Sequence, residues 1–224
     1  INGESTFANL VPRLTVREKL FLIVPSVFPL LSIFGMYTME ATSSNLFLIL
    51  LLFLILAYIV FLSFYHRQAS ERIVPIAILL ISISLVLMLA LRSSHILGSD
   101  IHELYYLFQT TLQEGHWRIV GYGTLDACLS ASILPAIYQS FLNINPEYLF
   151  KLITPLLFSV SPLVIYITAR KYIGSIYALV GSSLFMAQTA FLWTTGANTT
   201  NLAILFFAIV VMVMFHRDIG ELNK

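Results

Sequence analysis

The chain has 224 residues, 58% of them hydrophobic and 10% charged, and a net charge of +1. An ordinary soluble domain carries roughly 25% charged residues, so a water-soluble fold is excluded by lack of polar cover. Near-neutrality leaves no basic surface for nucleic acid, and a single cysteine, Cys128, excludes an internal disulfide.

Lys, Arg, Asp and Glu are absent from 20–39, 41–66, 73–91, 127–146, 152–169 and 172–216. A hydrocarbon core of roughly 30 Å needs about 20 apolar residues per helix. The expected fold is therefore an all-α, polytopic membrane protein with about six or seven spans. The chain opens on Ile1 and stops soon after its last apolar run, which suggests the N-terminal part of a longer protein.

The first 91 residues predict three membrane helices, over Leu20–Thr38, Leu46–Phe64 and Ile73–Leu91. Pro25 and Pro29 fall inside the first, where neighbouring helices must satisfy the carbonyls they free. Lys and Arg flank the N-terminus (Arg13, Arg17, Lys19) and the 65–72 connector (Arg67, Arg72) but not the 39–45 connector. The positive-inside tendency then puts the N-terminus in the cytoplasm and the 92–126 segment outside.

Residues 92–126 form the longest polar interval. Within it, Asp100–Glu114 predicts an interfacial helix with Leu104, Leu107, Phe108 and Thr111 as its apolar stripe. Gly115 stops that helix, Tyr105, Tyr106 and Trp117 suit the headgroup level, and 118–125 is a loop. The rest, 127–224, predicts further membrane helices. Residues 127–142, with Pro135, are a short span or a re-entrant segment, and full crossing is the preferred expectation. Spans over Tyr148–Thr168 and Ile173–Trp193 follow, the second holding Gln188 as a partner for a neighbouring helix. A last run, Leu202–Phe215, is marginal in length.

Chemistry concentrates in the outer loop. Asp100 and Glu103 are three residues apart and share one helix face. Such a pair can activate a hydroxyl as base or hold a divalent cation, Mg or Mn, that neutralises phosphate. The same spacing fits a capping box, with Asp100 as cap and Glu103 at the third position, and the two roles are compatible. His102 is a candidate ligand beside them, against the plainer reading of an exposed histidine. Arg92, His116 and Arg118 are candidates for binding a phosphate, with bulk lipid headgroups as the alternative partner. Asp126, at the head of the next apolar run, is either a helix cap or a secondary substrate contact. Asn198-Thr199-Thr200 matches an N-glycosylation pattern that is common by chance. Walker, GxGxxG, CxxC, HExxH and GxSxG patterns are missing, so nothing supports a nucleotide-driven pump or a dehydrogenase.

The run Gly98-Ser99-Asp100-Ile101-His102-Glu103 with Tyr105-Tyr106, placed after an outward-going span, resembles a family of uncharacterised archaeal multispanning membrane proteins. That family in turn resembles the GT-C superfamily of polyprenyl-phosphate-sugar glycosyltransferases. The stretch LSASILPAIYQSFLNINPEYLFKLITPLLFSVSPLVIYITARKYIG is similar to the second and third spans of that fold. The resemblance implies a GT-C-like helical bundle in which Asp100 serves as general base or metal ligand, with Glu103 beside it. It implies a polyprenyl-phosphate sugar donor and an extracytoplasmic glycan or protein acceptor as partners, besides the bilayer. The second acid of many members has no counterpart in TTGANTTN, and their soluble C-terminal domain is missing. A transporter, with discontinuous spans, and a non-catalytic scaffold subunit are the rival expectations.

Overall fold

The computed structural model describes residues 15–65, 72–93, 95–96, 100–121, 123–193 and 198–216, with backbone alone at Arg17, Asp100, Trp193, Asn198 and His216. Ten α-helices occur there and no strand: α1 Val16–Thr42, α2 Leu46–Phe64, α3 Ile73–Ala90, α4 Asp100–Glu114, α5 Leu129–Leu142, α6 Pro146–Phe158, α7 Ser161–Ile173, α8 Ser175–Ala187, α9 Thr189–Trp193 and α10 Asn198–His216. Four units are long and apolar enough to cross a membrane: Glu18–Thr42, Leu46–Phe64, Ile73–Ala90 and the α6–α7 pair, Pro146–Ile173. Leu129–Leu142, Ser175–Ala187 and Thr199–Phe215 are shorter apolar helices. This is an all-helical membrane protein.

Local chemistry sets the helix ends. At α1, Thr15 and Glu18 form a reciprocal capping box: the Glu18 amide donates to Thr15 Oγ1 at 3.3 Å, and the Thr15 amide donates to Glu18 Oε2 at 2.7 Å. Ser43, at φ 55°, closes the helix with its amide on the Met39 carbonyl. Pro25 removes the amide that would serve the Phe21 carbonyl, and the Tyr58 hydroxyl on α2 donates to that oxygen at 2.8 Å. The neighbouring helix thus supplies the donor that the sequence demands of it.

α3 is the hub. It packs on α1, α2, α6, α7, α8 and α9, with Ile73, Ala77, Ile78, Ile81 and Val86 all buried. Against α1 it makes a two-serine clasp: Ser32 Oγ donates to the Ser84 carbonyl at 2.8 Å, and Ser84 Oγ donates to the Phe28 carbonyl at 3.0 Å. Small side chains let two backbones approach closely enough for such bonds in an apolar medium. Leu51, Tyr58, Phe158, Tyr166, Leu179 and Met186 complete this first core, so residues on both sides of position 91 share it.

A second core gathers at the end of the bundle where α3 stops. Ile96, then Ile101, Leu104, Leu107 and Phe108 of α4, pack on Ala131 and Ala136 of α5 and on Phe150 of α6. The apolar stripe of α4 is therefore buried in protein rather than laid on lipid, with Phe108 fully covered. Ile101 belongs to the stripe, whereas the Thr111 hydroxyl turns back to the Leu107 carbonyl. The expected Ile173–Trp193 span is broken at Gln188, which adopts extended backbone (φ −65°, ψ 136°) between α8 and α9. Its side chain is exposed instead of bonded across helices.

Candidate functional site

α4 carries three of the seven candidate residues, Asp100, His102 and Glu103, and its burial fixes where the last two point. Because Ile101, Leu104, Leu107 and Phe108 face inward, His102 and Glu103 stand on the exposed face, as does Tyr106. Asp100 begins the helix, three residues before Glu103, but its side chain, like Gly98 and Ser99, lies outside the described residues. The same holds for the expected capping box there, and for Thr194–Ala197 of the TTGANTTN linker. Among the described residues no three His, Cys, Asp or Glu side chains converge on one point. Two carboxylates are a number that Mg²⁺ takes when phosphate oxygens and waters complete its shell.

At the C-terminal end of α4, Glu114 collects two of the basic candidates. Arg118 meets its carboxylate at 2.8 Å, and His116 lies 3.8 Å from the other oxygen while its Nδ1 sits 3.0 Å from the Glu114 carbonyl. The eleven residues from Glu103 to Glu114 extend about 16 Å along the helix. His116 and Arg118 are thus not part of one cluster with His102 and Glu103. Arg92, just past α3, is exposed.

Asp126 is not the helix cap that was one of the two roles expected of it. The next helix starts at Leu129 with Cys128 in the cap position, so Asp126 caps nothing there. It sits in a 3₁₀ turn, Gly123–Ala127, almost completely buried. One carboxylate oxygen accepts the Val120 amide at 3.2 Å, and the other accepts the Gly121 amide at 2.9 Å. Its carbonyl accepts the Trp117 indole N–H at 3.1 Å. Gly121 reaches φ 101°, a backbone state open to glycine, and this brings its amide to the acid. Asp126 is a knot for the 117–126 loop, with both oxygens engaged.

Lys151 was hidden inside the apolar run of α6. It is only 6% exposed, and its ammonium donates to the Ser93 carbonyl just beyond α3. The Tyr148 ring lies 5.5 Å from Nζ, close enough for a cation–π contact. One turn earlier, Glu147 stands 3.6 Å from His95. The signal was a lone cation interrupting an apolar stretch, a placement that is costly without partners. Beside it, Tyr105 packs edge-on to Phe150 and accepts a bond from Gln109 at 2.6 Å. Burial raises the Tyr105 phenol above its usual value; the Gln109 bond opposes this and the charge of Glu147 adds to it.

The sequence-predicted residues therefore fall into four places: the first turn of α4, the Glu114 cluster, the Asp126 knot and, for Arg92, the exposed stretch just past α3. Comparison with known proteins finds no matching family model, no similar curated protein and no similar solved structure.

Proposed function

We propose that the chain is a membrane glycosyltransferase that takes sugar from a lipid-phosphate donor at the face covered by α4. The observation that carries this reading is the fixed presentation of α4. Its apolar side is locked onto α5 and Phe150, leaving Glu103 and His102 exposed at the end of a membrane bundle. A donor that is itself membrane-bound meets such a face without a nucleotide-binding fold. Asp100 takes the proton of the acceptor hydroxyl; the freed oxygen bonds to the anomeric carbon; the bond from that carbon to the phosphate oxygen breaks, and lipid phosphate leaves. Glu103 holds the acceptor beside it, and Arg92 meets the phosphate at the membrane surface. Arg118 does so only by releasing Glu114, an exposed pair of little strength. The cationic flanks of α1 and of the 65–72 connector support a cytoplasmic N-terminus, with α4 on the outer side.

The test is transfer from labelled polyprenyl-phosphate sugars in membranes containing the full-length protein. Asparagine caps a helix about as well as aspartate but takes no proton at neutral pH. Asp100→Asn is expected to lower transfer by about 10²-fold or more at equal protein level. Transfer unchanged in that variant would remove Asp100 from the chemistry.

A transport reading has one observation in its favour. Asn201 of α10 is fully buried, and among the described residues neither its amide nitrogen nor its amide oxygen has a hydrogen-bond partner. Unpaired polar groups at membrane depth are costly and mark ion or substrate paths. Solute flux lost in Asn201→Leu, with sugar transfer absent in the native protein, would favour transport.

A further inference from the structure

We infer that the chain crosses the membrane six times, that α5 does not cross, and that the bundle's cation-rich end faces the anionic headgroups of the cytoplasmic leaflet. Parity of the crossings requires this path whatever the chemistry at α4. α3 ends at Ala90, and two contacts tie the start of α6 to the residues just beyond: Lys151 to the Ser93 carbonyl, and Glu147 to His95 at 3.6 Å. The chain thus leaves one end of the bundle after α3 and re-enters at that same end. An even number of crossings must lie between. α4 carries three acids and a histidine in its fifteen residues and packs in the second core, so it is not a span. α5 is the remaining candidate, and one crossing would be odd. Its fourteen residues also extend only about 21 Å, short of a hydrocarbon core of roughly 30 Å. At its start, Leu125, Cys128 and Ala131 pack in the core that holds Ile96 and Phe150, so that end too stays by the end of α3.

α6–α7 is one crossing of 28 residues. α10 ends beside the end of α7, since the Tyr172 hydroxyl donates to the Phe215 carbonyl at 2.5 Å and the two rings meet edge-on. α10 and α7 therefore run the same way, and α8–α9, bent at Gln188, returns the chain between them. Charge agrees with this path. Nine of the twelve Lys and Arg lie before or at the start of α1, between α2 and α3, at the end of α7, or after α10. Arg92, Arg118 and Lys151 are the three at the other end, together with six of the eleven acids: Glu40, Asp100, Glu103, Glu114, Asp126 and Glu147. Full crossing of 127–142 would instead have carried Arg170 and Lys171 to that acid-rich end, against the positive-inside tendency. Cations near an anionic leaflet gain about 1 kcal/mol each, which favours the end that has nine.

Single cysteines placed in the full chain carrying Cys128→Ser test this by labelling intact cells with an impermeant maleimide, before and after permeabilisation. Ser44→Cys and Ile144→Cys are expected to react in intact cells, whereas Gln68→Cys and Lys171→Cys react only after permeabilisation. Reaction of positions 44 and 144 from opposite sides would overturn the non-crossing α5. Reaction of 68 and 171 alone in intact cells would leave α5 intact but overturn the assignment of the cation-rich end to the cytoplasm.

Discussion

Asp126 and Lys151 are both buried charges whose roles rest on backbone partners rather than on opposite charges. For Asp126 those partners are two amides, each donating to a separate oxygen. Asp126→Asn keeps one acceptor oxygen and strands the other amide, at a cost of about 1–3 kcal/mol. Limited proteolysis of detergent-solubilised protein is expected to cut the 115–128 loop faster in that variant, with the bundle unaffected. Equal cleavage would mean the knot is not holding the loop. On the membrane side, Ser32→Ala removes the donor to the Ser84 carbonyl and should cost about 0.6 kcal/mol, the average for a hydrogen bond between membrane helices. Denaturation in mixed micelles measures it. Residue roles were the least legible in the sequence. Asp126 looked like a cap because an apolar run follows it directly; the glycine turn that brings two amides to its side is a three-dimensional fact. Lys151 was visible as a lone cation, but its partner Ser93 is 58 residues away.

At the scale of elements, the pattern of charge-free runs located α2 and α3 to within a residue, and α1 needed extending only into its polar ends. The run lengths carried that information because a lipid core fixes the length of a helix. Two elements escaped. The break at Gln188 has no Pro or Gly to announce it, and hydrophobicity is blind to a bend within an apolar run. The stripe on α4 was legible, but composition does not distinguish a face that meets lipid from one that meets α5. That packing has a titratable consequence at Tyr105. Its phenol binds its proton more tightly in the folded state than in the unfolded one. The stability this gives is complete below the unfolded value of about 10 and is lost as pH rises beyond it towards the folded value. In a phenolate absorbance titration Tyr105→Phe is expected to lose one tyrosine's worth of the late-ionising amplitude. A late amplitude equal to that of the native protein would mean that Tyr105 does not contribute to it.

For the molecule as a whole, two cores share α6. Phe158 at its C-terminal end lies in the bundle core, 4.9 Å from the Phe191 ring. Phe150, two turns earlier, stacks on Phe108 at 5.6 Å and holds the α4–α5 cap. Truncating a buried phenylalanine costs about 3–5 kcal/mol wherever the site cannot collapse. The two truncations should nonetheless differ in what unfolds. Phe150→Ala loosens the cap alone, because α1, α2 and α8 contribute nothing to its core. Phe158→Ala weakens the contact of α6 with α3, α8 and α9, on which the cap depends for its anchor. Hydrogen exchange in detergent would show rapid exchange confined to 100–142 in the first variant and spread over both cores in the second. If Phe150→Ala instead loosened α1–α3 as well, cap and bundle would be one cooperative unit. The presentation of Glu103 would then depend on every helix in the chain, and not on one ring under α4.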